Sequence, residues 1–244
     1  MTLNLTAIAN SNITALYKKE LKAYFNSPIA YVVMSVFLLM AGWFFANDLF
    51  LGGEASLRTF FEVGRLIFVF FIPAISMRLL AEERQSGSLQ LLVTYPISDI
   101  EIVVAKWLAG ITLLAATLLF TSIYWFTIFL FGNPDEGAVI GGYLGLMLMG
   151  SAGCALGLFA SSLSRNQIVA FVFAFAVLFT LFILDSVIVF LPAGIAGVME
   201  YLSLGYHLDN LSRGVLDSRD LLYFLSITVL GLAFAADRLA DRKA

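Results

Sequence analysis

The side chains that most often carry chemistry are nearly absent from this sequence of 244 residues. There is one cysteine, Cys154, and one histidine, His207. A single cysteine excludes an internal disulfide and a cysteine cluster for metal. A single histidine forbids an H-E-x-x-H zinc motif, and no G-x-x-x-x-G-K-[ST] stretch is present to cradle nucleotide phosphates. No Ser/His/Asp set can be built around His207, which reads as an interface residue. What remains is charge in unusual places. Glu82, Glu83 and Arg84 run into Gly87 and Ser88, then Leu89, Leu91 and Leu92, with a stop at Pro96. Charge, break and short amphipathic piece suit a surface helix that another protein could grip; the plainer reading is a solvated loop. Arg65 and Asp185 lie inside apolar stretches at matched depth and with opposite sign. Charges in such places are costly and face a bundle interior or a partner. They are expected to pair, with Glu62 as the alternative partner of Arg65; snorkelling of each to the interface is the other reading.

The elements that must position these residues follow from where charge is missing. The chain is 61% hydrophobic and 13% charged, against about 45–50% and about 25% in ordinary soluble domains. Residues 23–47, 107–134, 137–164, 166–184 and 221–236 carry no charge, and a bilayer-spanning helix needs about 20 mainly apolar residues. Together with 60–81, which holds Arg65 and Arg78 near its ends, these stretches predict six spans, near 28–49, 60–81, 99–131, 139–163, 167–191 and 220–238. The expected fold class is therefore all-α, a polytopic membrane protein in one domain, 1–244. The third stretch is too long for the hydrocarbon, so its first turns, with Asp99, Glu101 and Lys106, are expected in the cytoplasm or along the interface.

With the N-terminus inside, the inner side holds Lys18, Lys19, Lys22, Arg78, Arg84, Lys106, Arg165, Arg238, Arg242 and Lys243, ten in all, against Arg58, Arg65, Arg213 and Arg219 outside. That bias places both termini in the cytoplasm. Ile13, Leu16, Tyr17, Leu21, Tyr24 and Phe25 recur at helical spacing, with Lys18, Lys19 and Lys22 on the other side. Residues 13–25 thus read as an amphipathic helix on the inner membrane surface, broken at Asn26-Ser27-Pro28. The segment 192–219 is too short and polar to span, and reads as one or two short helices in the outer interface. Gly141 and Gly145, and then Gly153, Gly157 and Ser161, recur every four residues, a spacing that lets helix backbones approach closely, within the chain or between chains. A net charge of −3 gives no footprint for nucleic acid.

At residues 82–108 the sequence resembles the inner loop of type-2 ABC exporter permeases: Glu82-Glu83-Arg84-x-x-Gly87-Ser88-x-x-Leu91-Leu92, then Pro96 and Ile102-Val103-Val104-Ala105-Lys106. The entry Lys18-Lys19-Glu20-Leu21-x-x-Tyr24-Phe25-x-Ser27-Pro28 is similar to the gliding-motility-type branch of that family. The resemblance implies a permease without its own catalytic site or cofactor, with ATP and Mg bound by a separate cytoplasmic ABC ATPase. It implies that 82–95 is a coupling helix, in which Glu82, Glu83 and Arg84 contact the ATPase, Gly87 permits the turn, and Leu89, Leu91 and Leu92 seat the helix. It further implies that 13–25 is an elbow helix and 192–219 an outer re-entrant pair. A second permease subunit, identical or related, completes the transporter in a bacterial inner membrane. A subunit that performs mechanical or assembly work on a periplasmic partner would share the same fold. A channel or secondary transporter would need inverted repeats and midplane polar residues, and neither is evident.

Overall fold

The computed structural model describes residues 2–53, 56–88, 97–132, 134–190 and 192–241. Every element among them is helical: α1 Thr2–Phe25, α2 Pro28–Asn47, α3 Arg58–Ser76, α4 Arg78–Ser86, α5 Asp99–Phe120, α6 Ser122–Phe131, α7 Glu136–Leu163, α8 Gln167–Val187, α9 Ala193–Leu202, α10 Leu204–Ser212 and α11 Ser218–Ala240. Six helical stretches are long and apolar enough to cross a membrane: Pro28–Gly52, Arg58–Ser86, Asp99–Phe131, Glu136–Leu163, Gln167–Val187 and Ser218–Ala240. The end of the bundle that holds α1 and α4 is the near end; the end that holds α9 and α10 is the far end.

The glycine-rich helix α7 is the axis of the bundle. It contacts α3, α4, α5, α8, α10 and α11, and its small residues explain how one helix can touch so many. A Cβ on Gly157 would overlap Ser76 of α3, one on Gly141 would overlap the Leu211 carbonyl of α10, and one on Gly231 of α11 would press on the Ala155 backbone. Gly145 faces Leu208 and Leu211, and Gly153 faces Ile72. The small-residue stripe thus seals seams within the chain. Helix α8 is the opposite case, with 17% of its span buried and Ile168, Val169, Val172 and Phe173 exposed, as a helix bathed in lipid requires.

Several elements depart from the sequence reading. Helix α1 starts at Thr2, ahead of the expected 13, and packs along α5. The fifth span ends at Val187, and Ile188–Phe190 tighten into a 3-10 turn. The third long stretch breaks at Thr121, where α5 gives way to α6. Its first turn is partly exposed, with Ile100 65% exposed, but Lys106 two turns on is 1% exposed, packed inside the protein. His207, read as an interface residue, is fully buried, because the two short far-end helices fold back into the bundle. There Nδ1 meets Asp220 Oδ1 at 2.6 Å and Nε2 meets the Tyr201 carbonyl at 2.9 Å, while Tyr223 stacks on the ring at 3.9 Å between centroids.

Candidate functional site

The near end is built around one buried cation. Lys106 sits in α5 after an apolar run, Ile102 to Ala105, that is buried against its neighbours at three of four positions. An ammonium group taken out of water costs several kcal/mol unless carboxylates surround it. Two do: Lys106 Nζ lies 3.0 Å from Glu20 Oε1 of α1 and 2.9 Å from Glu83 Oε2 of α4. Lys19 completes the group, 3.3 Å from Glu83 Oε1 and 3.7 Å from Glu20 Oε1. Two cations and two anions therefore neutralise one another where three helices meet. Tyr17 adds a hydroxyl contact to Thr112 of α5 at 2.8 Å, and Tyr24 donates to the Ile75 carbonyl of α3 at 2.8 Å. Burial pushes the Tyr24 phenol well above its ordinary value, so it stays a donor. Lys18 and Lys22 are exposed.

Helix α4 is fastened on its other side to the end of α7. The first N–H groups of a helix have no intrahelical acceptor; here the Ser161 hydroxyl accepts from Leu80 N at 3.0 Å and Ala81 N at 2.9 Å, and donates to the Met77 carbonyl at 2.9 Å. Arg84 Nη1 donates to the Ser162 carbonyl. Glu82 accepts from Arg78 Nε at 2.9 Å, one turn back. The run Glu82-Glu83-Arg84 therefore lies on a helix whose charged side chains are engaged within the chain. Gly87, at φ +75°, ends α4 in a left-handed conformation that costs glycine nothing. Ser88 follows, its hydroxyl 2.9 Å from that of Ser86. Leu89, Leu91 and Leu92 lie outside the described residues. Ser98 caps α5 reciprocally: Glu101 N donates to Ser98 Oγ at 3.3 Å, and Ser98 N donates to Glu101 Oε2 at 2.7 Å. Both stems of the near-end connection are thus fixed to the bundle.

At the far end Arg65 Nη1 lies 3.3 Å from Asp185 Oδ2 and 3.6 Å from Asp209 Oδ1, with its guanidinium 5.4 Å from the Phe182 ring centre. Glu62 pairs with Arg58 instead, at 3.2 Å. Gly205 leaves the room, since a Cβ there would strike Arg65 and Asp185. Burial raises the Asp209 carboxyl above its ordinary 3.8, against the pull of Arg65. Asp209 escaped the sequence reading because α10 folds back onto α3 and α8 only in three dimensions. Glu20 also escaped it, although an acidic residue in the middle of the Leu16–Tyr24 stripe was a signal. No group of three or more His, Cys, Asp or Glu placed to hold a metal occurs among the described residues.

A six-span helical bundle with polar fastenings at both of its ends defines a polytopic membrane protein. The chain matches the family model for ABC-2 family transporter proteins over residues 6–236, and it belongs to that family. It is a membrane permease subunit of an ABC transporter, and the family implies an ABC ATPase partner. A comparison with curated proteins finds no match.

Proposed function

We propose that this permease receives the stroke of a separate cytoplasmic ATPase on its near-end connection, residues 87–98, and passes it to the bundle through α4, α1 and α5. The observation that carries this reading is the Lys106 cluster, which joins the helix entering the connection, the helix leaving it and the N-terminal helix at a single buried point. A push on the connection would then move α4, α1 and α5 together, and α7 with them through Ser161 and Ser162. Residues 13–25 serve as the elbow, and Leu89, Leu91 and Leu92 seat the ATPase. Glu82, Glu83 and Arg84 would act in transmission, since their side chains are engaged inside the chain. ATP and Mg belong to the ATPase. A second copy of this chain or a related permease completes the transporter, in a bacterial inner membrane with both termini cytoplasmic. The work done is export, or mechanical action on a periplasmic partner; the permease fold serves either.

Docking is tested by replacing Leu89, Leu91 and Leu92 together with Asp and pulling down the ATPase with the tagged permease. Loss of the ATPase from permease that still inserts in the membrane is expected. Full recovery of the ATPase with the triple variant would overturn the assignment.

A further inference from the structure

At the far end, the break between α5 and α6 opens a groove of about 630 Å³ against α7. Thr121 forms the break, and its polar atoms are already served: the Tyr143 hydroxyl donates to the Thr121 carbonyl at 2.9 Å, and Thr121 Oγ1 donates to the Leu118 carbonyl at 2.6 Å. The walls left to an occupant are hydrocarbon, chiefly Leu118, Leu119, Val139, Ile140 and Met147. Two polar features interrupt them. Glu136, in the first turn of α7, lines the groove and is exposed, and it makes no ion pair among the described residues. Trp125 also lines it, its indole N–H buried and without an acceptor among the described residues.

We propose that this groove seats a phospholipid whose headgroup carries a protonated amine. The acyl chain lies along the hydrocarbon walls, Trp125 among them, and the ammonium meets Glu136. A headgroup with phosphate but no amine would bring negative charge to Glu136 and is disfavoured. The proposal depends on the bundle spanning a membrane and is independent of the ATPase.

The full-length chain is placed in phosphatidylcholine nanodiscs doped equally with phosphatidylethanolamine and phosphatidylglycerol, released, and examined by native mass spectrometry. The expected result is retained phosphatidylethanolamine in excess over phosphatidylglycerol by roughly fivefold, the worth of one charge contact near a membrane surface. Glu136→Gln, at an exposed position, should bring the ratio close to one. Ile140→Trp, on a wall position that is 65% exposed, should lower total lipid retained by filling the groove. Equal retention of the two lipids by the unaltered chain, a preference that survives Glu136→Gln, or retention undiminished by Ile140→Trp would overturn the proposal.

Discussion

Lys106 Nζ on α5 lies 2.9 Å from Glu83 Oε2 on α4, and the lysine side chain is 1% exposed. Removing the cation would leave Glu83 and Glu20 with Lys19 alone, whose side chain is 59% exposed. Lys106→Met should therefore destabilise the chain by about 3–5 kcal/mol, the cost of breaking a buried pair from one side. Adding Glu20→Gln and Glu83→Gln to that variant should recover most of the loss. Thermal unfolding in detergent, followed by intrinsic fluorescence, measures both; a Lys106→Met variant as stable as the parent would contradict the buried cluster.

The far-end trio behaves asymmetrically. Asp185→Asn leaves Arg65 with Asp209 at 3.6 Å, whereas Arg65→Met strands two carboxylates. The arginine substitution should lower the unfolding temperature more. Asp209 also sets a pH dependence. Its carboxyl titrates above 3.8 in the folded chain, so the folded state binds this proton more tightly than the unfolded one. Its contribution to stability is lost as pH rises through the raised native value and regained as pH falls towards 3.8. Asp209→Asn should flatten that part of the stability profile in an acid titration; an unchanged slope would count against it.

His207 and Asp220 form the second buried far-end pair, at 2.6 Å. His207→Phe keeps the stacking on Tyr223 but leaves the buried Asp220 carboxyl with only the 3.5 Å contact from Asn210, and should cost about 1–3 kcal/mol. A double-mutant cycle with Asp220→Asn should show strong coupling between the two sites, and additive effects would contradict the pair.

Glycine positions separate cleanly. Gly141→Ala pushes a methyl into the Leu211 carbonyl, a backbone atom that cannot rotate away, and overpacking of this kind costs about 1–3 kcal/mol. Gly197→Ala, with nothing within 4 Å of the added carbon, should be neutral or stabilising, because alanine favours helix over glycine by about 1 kcal/mol. Parallel unfolding curves for the two variants distinguish a packing seam from a general helix effect.

The number of spans was legible because charge cannot enter hydrocarbon cheaply: five uncharged runs mark five of the spans, and the apolar stretch 60–81, with its charges near the ends, marks the sixth. The Ser98-x-x-Glu101 cap was equally legible in principle, as a capping box ahead of an apolar run. Lys106 was read as a marker of topology, since nothing in a linear pattern says that Glu20, 86 positions earlier, and Glu83 come to surround it. His207 was misread for the same reason. Its partner Asp220 belongs to the next span, and only the folding back of α9 and α10 brings them together. Local periodicity specifies which residues share a helix face; it does not specify which faces meet.

Transmission through Lys106 is tested most directly by distance. Spin labels at Lys18→Cys on α1 and Arg165→Cys beyond α7 occupy exposed positions, in a Cys154→Ser background, with the permease and its ATPase reconstituted in nanodiscs. Coupling through the cluster predicts that ATP shifts the distance between the labels, and that the shift vanishes in Lys106→Met while the ATPase remains bound. An equal ATP-driven shift in the Lys106→Met complex would contradict it.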